Sequence, residues 1–217
     1  MVSFFFFILF VTSFYANTKP IEANCPPVQC SHDAAAPEIR YPFWLKDRLH
    51  QNCGHPAFEL FCKENTTMIH FPSYGDLVVK SINYHTKKLQ LVDPKNCVHE
   101  VFLNLNLSLP SVFRYYYVVK NYTYLNCSAR LPPSFKQVPC LSSSSAYFVY
   151  TVKPSVEVPL YCRVMKTIAI PFAYSPYVAD NSFGLGLTWE LPRCENCKEK
   201  GGPKNFLSKT AFLNYIP

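Results

Sequence analysis

Glycine and charged residues are both scarce in this sequence of 217 residues. It contains six Gly, and 16% of its residues are Asp, Glu, Lys or Arg, where about 25% is usual for a soluble domain. Since 49% of the residues are hydrophobic, the chain is too apolar to be disordered. Nineteen Pro without a glycine repeat exclude collagen and argue against a helical bundle.

Recognisable catalytic motifs are also missing. The sequence has no nucleophile elbow, no zincin helix motif and no phosphate-binding loop. Nothing in the pattern singles out two of its fourteen carboxylates as a glycosidase pair. We therefore predict that the chain is not an enzyme and needs no cofactor.

The first ten residues, MVSFFFFILF, are the one strongly hydrophobic run. The run is too short to span a bilayer, and it is typical of the central region of a secretory signal peptide. We predict a signal peptide at residues 1–23, with cleavage after Ser13, Ala16 or Ala23; the alternative is an exposed hydrophobic tail. The most apolar later stretch contains Asn, Pro and Arg residues and is unsuited to lipid. The expected location is therefore secreted, extracellular or in a cell wall, without a transmembrane segment after signal cleavage.

Ten cysteines follow this run, an even number that favours up to five disulfides in an oxidising compartment. The spacing leaves the pairing open. Zinc binding is the alternative at Cys194 and Cys197, but no second ligand pair follows them, so we predict no metal site. The predicted disulfide-forming residues are Cys25, Cys30, Cys53, Cys62, Cys97, Cys127, Cys140, Cys162, Cys194 and Cys197.

Four N-glycosylation sequons are consistent with secretion. They begin at Asn65, Asn106, Asn121 and Asn126. A disulfide at Cys127 would crowd Asn126. We predict a glycoprotein.

Hydrophobic patterning predicts strands rather than long helices. Residues 101–109 alternate, with Val101 and four Leu on one side, which predicts a half-buried strand. The other predicted strands are residues 77–84, 88–92, 114–119, 146–152 and 185–191. The predicted fold class is mostly β, with disulfide-rich extracellular modules, short strands and Pro-rich loops.

The net charge is +7, and part of the basic charge is concentrated. Residues 101–156 contain five basic residues and no acidic one: Arg114, Lys120, Arg130, Lys136 and Lys153. A secreted basic protein meets polyanions such as acidic polysaccharides, although a solvated face is the other interpretation of such a cluster. Nucleic acid is not an expected partner of a secreted module.

The N-terminal third carries a recognisable series of motifs. Residues 39–45 read IRYPFWL, and residues 53–62 read CGHPAFELFC. They resemble the galacturonan-binding extracellular module of plant wall-associated receptor kinases. Residues 79–84, residues 91–97 and the Trp189 to Gly202 region resemble the same architecture. Residues 122–128 and 138–141 look most like the ectodomains of membrane RING-H2 ubiquitin ligases that carry this module.

The resemblance implies a galacturonan-binding-like module at residues 25–109, a wall-associated-kinase C-terminal-like module at 110–202 and a tail at 203–217. Two cysteines expected after Gly202 are missing, as are a transmembrane helix and a RING. Ligase activity is therefore not carried over to this chain.

The implied function is non-catalytic binding of acidic pectin, or galacturonan. Arginine pairs with carboxylates, and aromatic rings stack on sugars. Five residues combine these properties in one stretch: Arg40, Tyr41, Trp44, Lys46 and Arg48. The alternative for the aromatic residues is core packing beside the disulfides. The alternative functions are a cell-surface protein-interaction module or decoy, and a truncated ectodomain of a membrane RING-H2 ligase.

Overall fold

The computed structural model describes residues 25–46, 48, 53–108, 111–143, 146–171 and 184–191. The predicted signal peptide, Cys194, Cys197 and the predicted tail lie outside the described residues. The elements in chain order are β1 (Trp44–Leu45), a 3-10 turn (Pro56–Phe58), β2 (Glu59–Lys63), β3 (Thr66–Phe71), β4 (Gly75–Asn83), β5 (Lys88–Val92), α1 (Val98–Asn104), β6 (Phe113–Tyr115), β7 (Val119–Cys127), β8 (Lys136–Gln137), a 3-10 turn (Pro139–Leu141), β9 (Phe148–Val152), β10 (Cys162–Pro171) and β11 (Leu185–Trp189).

These strands form two sheets, which confirms the predicted mostly β, disulfide-rich class. The first sheet has seven strands in the order β1-β2-β3-β4-β5-β11-β6, and the second has four in the order β10-β7-β9-β8. Only β1 and β2 pair in parallel among the described pairs of the larger sheet. Strand β11 lies between β5 and β6, so strands from both sides of the predicted boundary at residue 109 share one sheet. The two-module division itself stays a prediction.

The seven-stranded sheet buries one face. Leu89 and Leu91 on β5 face the core with Leu185 and Leu187 on β11, and each is at most 2% exposed. Burial of a leucine side chain contributes about 1.5–3 kcal/mol, so this face is the main source of stability in the sheet. The intervening residues of β5 and β11 face away from it, as the period of two requires.

A register shift in β4 keeps its apolar residues on that buried face. Leu77 and Val79 have the same parity, but Ile82 has the other. The pairing with β5 shifts between Val79 and Ser81, and the extra residue returns Ile82 to the core side, opposite Leu89. The bulge therefore explains why a broken alternation still forms one strand.

The strand predicted at residues 101–109 is wrong: its first part is helix α1. Val98, Val101, Phe102 and Leu105 are all buried, and their spacing of i, i+3, i+4 and i+7 is that of a helical face. The alternation of leucines from residue 101 matches a strand equally well in sequence. Packing decided between the two periods, because the helical face fits the core of the larger sheet.

The strand predicted at residues 114–119 is also corrected. Strand β6 ends at Tyr115 and β7 begins at Val119. The two strands belong to different sheets, so the chain leaves one sheet and enters the other within the aromatic run. The predicted strands at residues 77–84, 88–92, 146–152 and 185–191 correspond to β4, β5, β9 and β11.

The four-stranded sheet has smaller cores and a long exposed edge. One core cluster contains five buried residues, including Leu125 and Tyr150, and a second contains four, including Tyr124 and Leu103 of α1. Strand β10 is the outer strand, and its residues Val164 and Met165 are 53% and 46% exposed. Tyr122 on β7 and Ile170 on β10 belong to the large buried cluster, so this sheet has little core of its own and shares part of the larger one.

Four disulfides join the described cysteines in pairs that the sequence had left open. Two tie the N-terminal loop to the motif region and two stabilise the second half of the described chain. The pairs are Cys25–Cys53, Cys30–Cys62, Cys97–Cys140 and Cys127–Cys162. The last pair joins residues that are direct partners on β7 and β10.

Candidate functional site

The IRYPFWL segment is exposed at Arg40 and Tyr41 and buried at its other five residues. Arg40 and Tyr41 are exposed, Tyr41 at 61%, whereas Phe43 is completely buried. The side chain of Phe43 packs edge-on against Phe58 and Trp189, with ring centroids 5.3 and 4.9 Å apart. The buried residues therefore anchor the segment, and the exposed ones are available to a ligand.

Trp44 belongs to the buried group. It is 4% exposed, so its ring offers no open face on which a sugar could stack. A Cβ at Gly54 would lie 2.6 Å from the Trp44 Cβ and 2.9 Å from the Pro42 carbonyl oxygen. Trp44 and Pro42 approach so closely that only glycine fits at residue 54. The Cys-Gly motif here therefore has a structural role. The sequence left core packing as the alternative role for the aromatic residues, and Trp44 has that role.

Arg40 is held by a tyrosine from β4's C-terminal end. Its guanidinium carbon lies 4.5 Å from the centroid of the Tyr84 ring, and its backbone N–H donates to the Tyr84 hydroxyl at 2.9 Å. The same hydroxyl donates to the Glu38 carbonyl oxygen at 3.0 Å. These contacts position a cation on an aromatic face while more than half of the Arg40 side chain stays exposed.

Burial raises the pKa of Tyr84 to about 12, with Glu38 adding to the rise and Arg40 opposing it. The hydroxyl therefore stays protonated through the neutral range. It remains a hydrogen-bond donor toward Glu38 and an acceptor from Arg40 under all conditions in which the protein would meet a ligand. The Arg40–Tyr84 contact is consequently insensitive to pH near neutrality.

Carboxylates accompany two of the cations. An Arg40 guanidinium nitrogen is 3.7 Å from Glu38 Oε1, and Lys46 Nζ is 3.5 Å from Glu59 Oε1. All four side chains are substantially exposed, so each pair contributes little to stability. A ligand carboxylate would compete with Glu38 and Glu59 at these positions.

Arg48 turns toward the N-terminal loop. Its guanidinium donates to the Gln29 carbonyl oxygen at 2.8 Å. Val28, the preceding residue, forms a short antiparallel bridge with Ile39, next to Arg40. The fold thus brings the segments of Arg48 and Arg40 to the same bridge, although they are eight positions apart in sequence.

The basic residues of the 101–156 stretch are divided between the two sheets. Arg114 lies on β6 of the seven-stranded sheet, whereas Lys120 and Lys136 lie on β7 and β8 of the other. The Arg130 guanidinium lies over the Phe148 ring at 5.1 Å. These basic residues are therefore close in sequence but separated in the fold. This separation favours the interpretation that most of them lie on a solvated face.

Three of the four sequon asparagines are exposed: Asn65, Asn106 and Asn121. Asn65 occupies the turn between β2 and β3 with a positive φ of 63°. Asn126 is half-buried on β7, beside the Cys127–Cys162 disulfide. Glycosylation at each position stays a prediction.

The described part of the chain holds no group of three or more His, Cys, Asp and Glu side chains arranged to bind a metal ion. No helix among the described residues is long and apolar enough to cross a membrane.

The part of the chain that contains the candidate binding residues matches a known protein family. Residues 25–93 match the wall-associated receptor kinase galacturonan-binding family. The match confirms the predicted resemblance, and we refer to residues 25–93 as the matched module. It contains both N-terminal disulfides, Arg40, Tyr41, Lys46, Arg48 and strands β1 to β5.

Alignments with individual relatives cover more of the chain than the family match does. RING-H2 finger protein ATL22 of Arabidopsis thaliana is 30% identical over 210 residues, which is 92% of this chain and 52% of that protein. Putative RING-H2 finger protein ATL21A of the same organism is 29% identical over 201 residues, 86% of this chain and 54% of that protein. A leaf rust 10 disease-resistance locus receptor-like protein kinase-like 1.2, also from Arabidopsis thaliana, is 27% identical over 92% of this chain and 33% of its own length. The chain therefore spans about half the length of the RING-H2 finger proteins that it matches. No solved structure matches it at a significant level.

Sequence reasoning missed the partners that position the exposed cations in the matched module. Tyr84 is 44 positions from Arg40, and Glu59 is 13 positions from Lys46. Their contacts arise from the pairing of distant strands, which single-residue properties do not reveal. The Tyr in the segment at residues 79–84 was the available signal, because it formed part of the family pattern.

Proposed function

We propose that this chain binds acidic cell-wall polysaccharide, specifically galacturonan with free carboxylates. The proposal is supported chiefly by the match of residues 25–93 to a galacturonan-binding family. Arg40 adds further support, because this cation is exposed, lies on the Tyr84 ring and is followed in sequence by Tyr41, which is 61% exposed. Such an arrangement provides a charge for the uronate and an apolar face for the sugar ring.

The binding role that we propose is non-catalytic and extracellular. Four disulfides fit an oxidising compartment. Arg40, Tyr41, Lys46 and Arg48 make up the proposed contact segment, while Trp44 supports it from the core. Because Glu38 and Glu59 already neutralise part of this charge, a specific ligand must offer more than one carboxylate at the right spacing.

Titration of the oxidised chain with galacturonan oligomers tests the proposal. We expect saturable binding to free-acid oligomers and little binding to fully methyl-esterified ones, whose carboxylates are neutral. An Arg40→Gln variant should bind about tenfold more weakly, which corresponds to one lost charge-assisted hydrogen bond. Lys153→Gln, which removes one exposed charge next to β9, is the matched control. Equal binding of esterified and free-acid oligomers would contradict the proposal.

A second candidate is binding to a cell-surface protein. It is favoured by two exposed apolar residues directly before β10: Leu160 is 97% exposed, and Tyr161 is 66% exposed. Exposed apolar groups of this size often belong to interfaces. Affinity purification from cell-surface extracts with wild type and a Leu160→Ser, Tyr161→Ser variant tests it. Equal recovery of partners by both proteins would contradict this candidate.

The hypothesis of a truncated RING-H2 ectodomain also has a direct test. The RING-H2 finger proteins are matched over about half of their length, and the RING-H2 finger in their names is not transferred to these 217 residues. Sequencing of the transcript beyond the codon for Pro217 would support the hypothesis if it encoded a membrane helix and a RING, and would contradict it if a stop codon followed.

A further inference from the structure

The outer face of the seven-stranded sheet carries a straight row of polar side chains. Asn83 on β4 is the direct partner of Lys88 on β5, and Lys88 is the partner of Thr188 on β11. Thr188 is in turn the partner of Arg114 on β6. Directly paired residues project to the same face of a sheet. The row therefore crosses four strands and ends in a cation at Arg114, with a second cation inside it.

A second row lies beside the first on the same face. Ser81 pairs with Gln90, and Gln90 pairs with Gly186. The backbone N–H of Tyr116 donates to the Gly186 carbonyl oxygen at 3.0 Å, which extends the pairing beyond β6. The leucines of β5 and β11 face the opposite side. The outer face is accordingly polar along these two rows, whereas another row on the same face, toward β2 and β3, is apolar: Phe61, Met68, Val78 and Val92.

Two tyrosines cover the middle of this face. The Lys88 ammonium lies 5.2 Å from the Tyr116 ring centroid and 4.9 Å from that of Tyr117, and it donates to the Tyr117 hydroxyl at 2.8 Å. A Cβ at residue 186 would lie 3.2 Å from Tyr117 Cε2 and 3.5 Å from Lys88 Cε. Because Gly186 has no side chain, Lys88 and the rings of Tyr116 and Tyr117 can pack together over it.

The charges of this face suit a polyanion. Lys88 and Arg114 are separated by two strand spacings, or about 10 Å, so they can meet carboxylates on different residues of one polymer. An ammonium has three N–H donors, and the contact with Tyr117 uses one of them. Arg114 is 3.4 Å from Glu190 Oε1, and both side chains are more than 60% exposed. Exposed pairs of this kind are weak, and a ligand carboxylate can replace Glu190.

We infer that the outer face of the seven-stranded sheet is a binding site for an extended stretch of acidic polysaccharide. The uronate carboxylates contact Lys88 and Arg114, and a sugar ring stacks on the exposed ring of Tyr116. Asn83 and Thr188 lie between and beside the cations, where they can bond sugar hydroxyls. The site includes β6 and β11, which lie outside the matched module, so residues 25–93 alone would contain only part of it.

This inference rests on the proposed function and extends it to a defined surface. The row ends at Asn83, and the next residue, Tyr84, turns to the opposite side, where its ring contacts the buried Phe43 and Trp189 and carries Arg40. The outer-face row and the Arg40 segment are therefore separate surfaces, and the row itself runs from Asn83 to Arg114. Galacturonan oligomers long enough to contact Lys88 and Arg114 together should bind more tightly than short ones that reach only one of them.

Two double variants that lose the same net charge, two positive charges each, test the site. Lys88→Gln with Arg114→Gln removes both cations of the row, and Lys153→Gln with Arg163→Gln removes two exposed cations next to β9 and on β10. For free-acid oligomers we expect at least about tenfold weaker binding in the first variant and less than about twofold in the control. Equal losses in both variants would overturn the inference, because only overall charge would then matter.

A measurement on the wild-type protein covers the case in which the first variant does not fold. Amide chemical shifts recorded by NMR during titration with a free-acid oligomer should change at Ser81, Lys88, Thr188 and Tyr116, and should stay constant along β10. Shifts confined to the Arg40 segment would overturn this site but leave the proposed function intact. No response to any galacturonan oligomer would overturn both.

Discussion

The two sheets of the described chain use similar strands in different ways. The seven-stranded sheet has one thoroughly apolar face and polar rows on the other, and it supplies most of a buried cluster of 22 residues that also includes Tyr122 of β7 and Ile170 of β10. The four-stranded sheet is supported by clusters of five and four buried residues, and its outer strand β10 exposes Val164 and Met165. The larger sheet has enough buried surface to present a rigid polar face to a ligand. The smaller one has little core of its own, and the Cys127–Cys162 disulfide ties its outer strand to β7.

The largest predicted effect removes the aromatic anchor of the larger sheet. Phe43→Ala should lower the free energy of unfolding by about 3–5 kcal/mol, because a completely buried ring is lost and leaves a cavity. Urea denaturation provides the measurement. Tyr41→Ala, two residues away and 61% exposed, is the control and should change stability by about 0.5 kcal/mol or less. A small effect of Phe43→Ala would show that the motif is not a core anchor.

A slightly smaller effect is expected in the other sheet. Replacing Cys127 and Cys162 together by Ala should cost about 2–4 kcal/mol, since it opens a loop with a sequence separation of 35. Hydrogen exchange should then accelerate first in β7 and β10, while β5 and β11 keep their protection. Uniform acceleration in both sheets would contradict the different roles that we assign to them.

Gly54→Ala should cost about 1–3 kcal/mol, the usual range for overpacking a filled site. The added methyl would lie 2.6 Å from the Trp44 Cβ and 2.9 Å from a backbone oxygen, neither of which moves easily. Thermal unfolding measures the change. A variant as stable as the wild type would mean that β1 shifts freely, and the cation-bearing segment would then be less fixed than its contacts indicate.

The smallest predicted effect concerns alkaline pH. The folded state holds the pKa of Tyr84 at about 12 instead of 10. Above pH 10 the unfolded chain loses this proton while the folded protein keeps it, so the contribution to stability is complete below pH 10 and is lost as pH rises toward 12. Tyr84→Phe should therefore flatten the decline of stability in this range. The decline should not vanish, because burial also raises the pKa of Tyr115 to about 12. An unchanged slope would contradict the assigned burial of Tyr84.

The predictability of the fold also differed between regions. Strands β5 and β11 were predictable because their alternation has one interpretation. Helix α1 was not, since residues 98–105 carry both a helical and a strand period, and only the fit to the core decides between them. Strand β10 gave no clear signal, because most of its residues are exposed at the edge of a sheet.

For the candidate site, the sequence pointed to candidate cations but not to their surroundings. Arg40, Lys46 and Arg48 were identifiable from the coincidence of positive charge and aromatic residues. The burial of Trp44 was not, because a tryptophan that stacks on sugar and one that fills a core look identical in sequence. The row from Asn83 to Arg114 could not be predicted from the sequence either, because it depends on the register of β4, β5, β11 and β6.

The central claim is that a shaped surface, rather than the net charge of +7, selects galacturonan. The most direct test measures the affinity of the oxidised wild-type chain for a free-acid galacturonan oligomer and for heparin of similar length as salt is raised. At an ionic strength of about 0.15 M, where exposed charges more than about 8 Å apart are largely screened, we expect galacturonan binding to persist while heparin binding is mostly lost. Parallel loss of both ligands would contradict the claim and leave only non-specific electrostatic attraction.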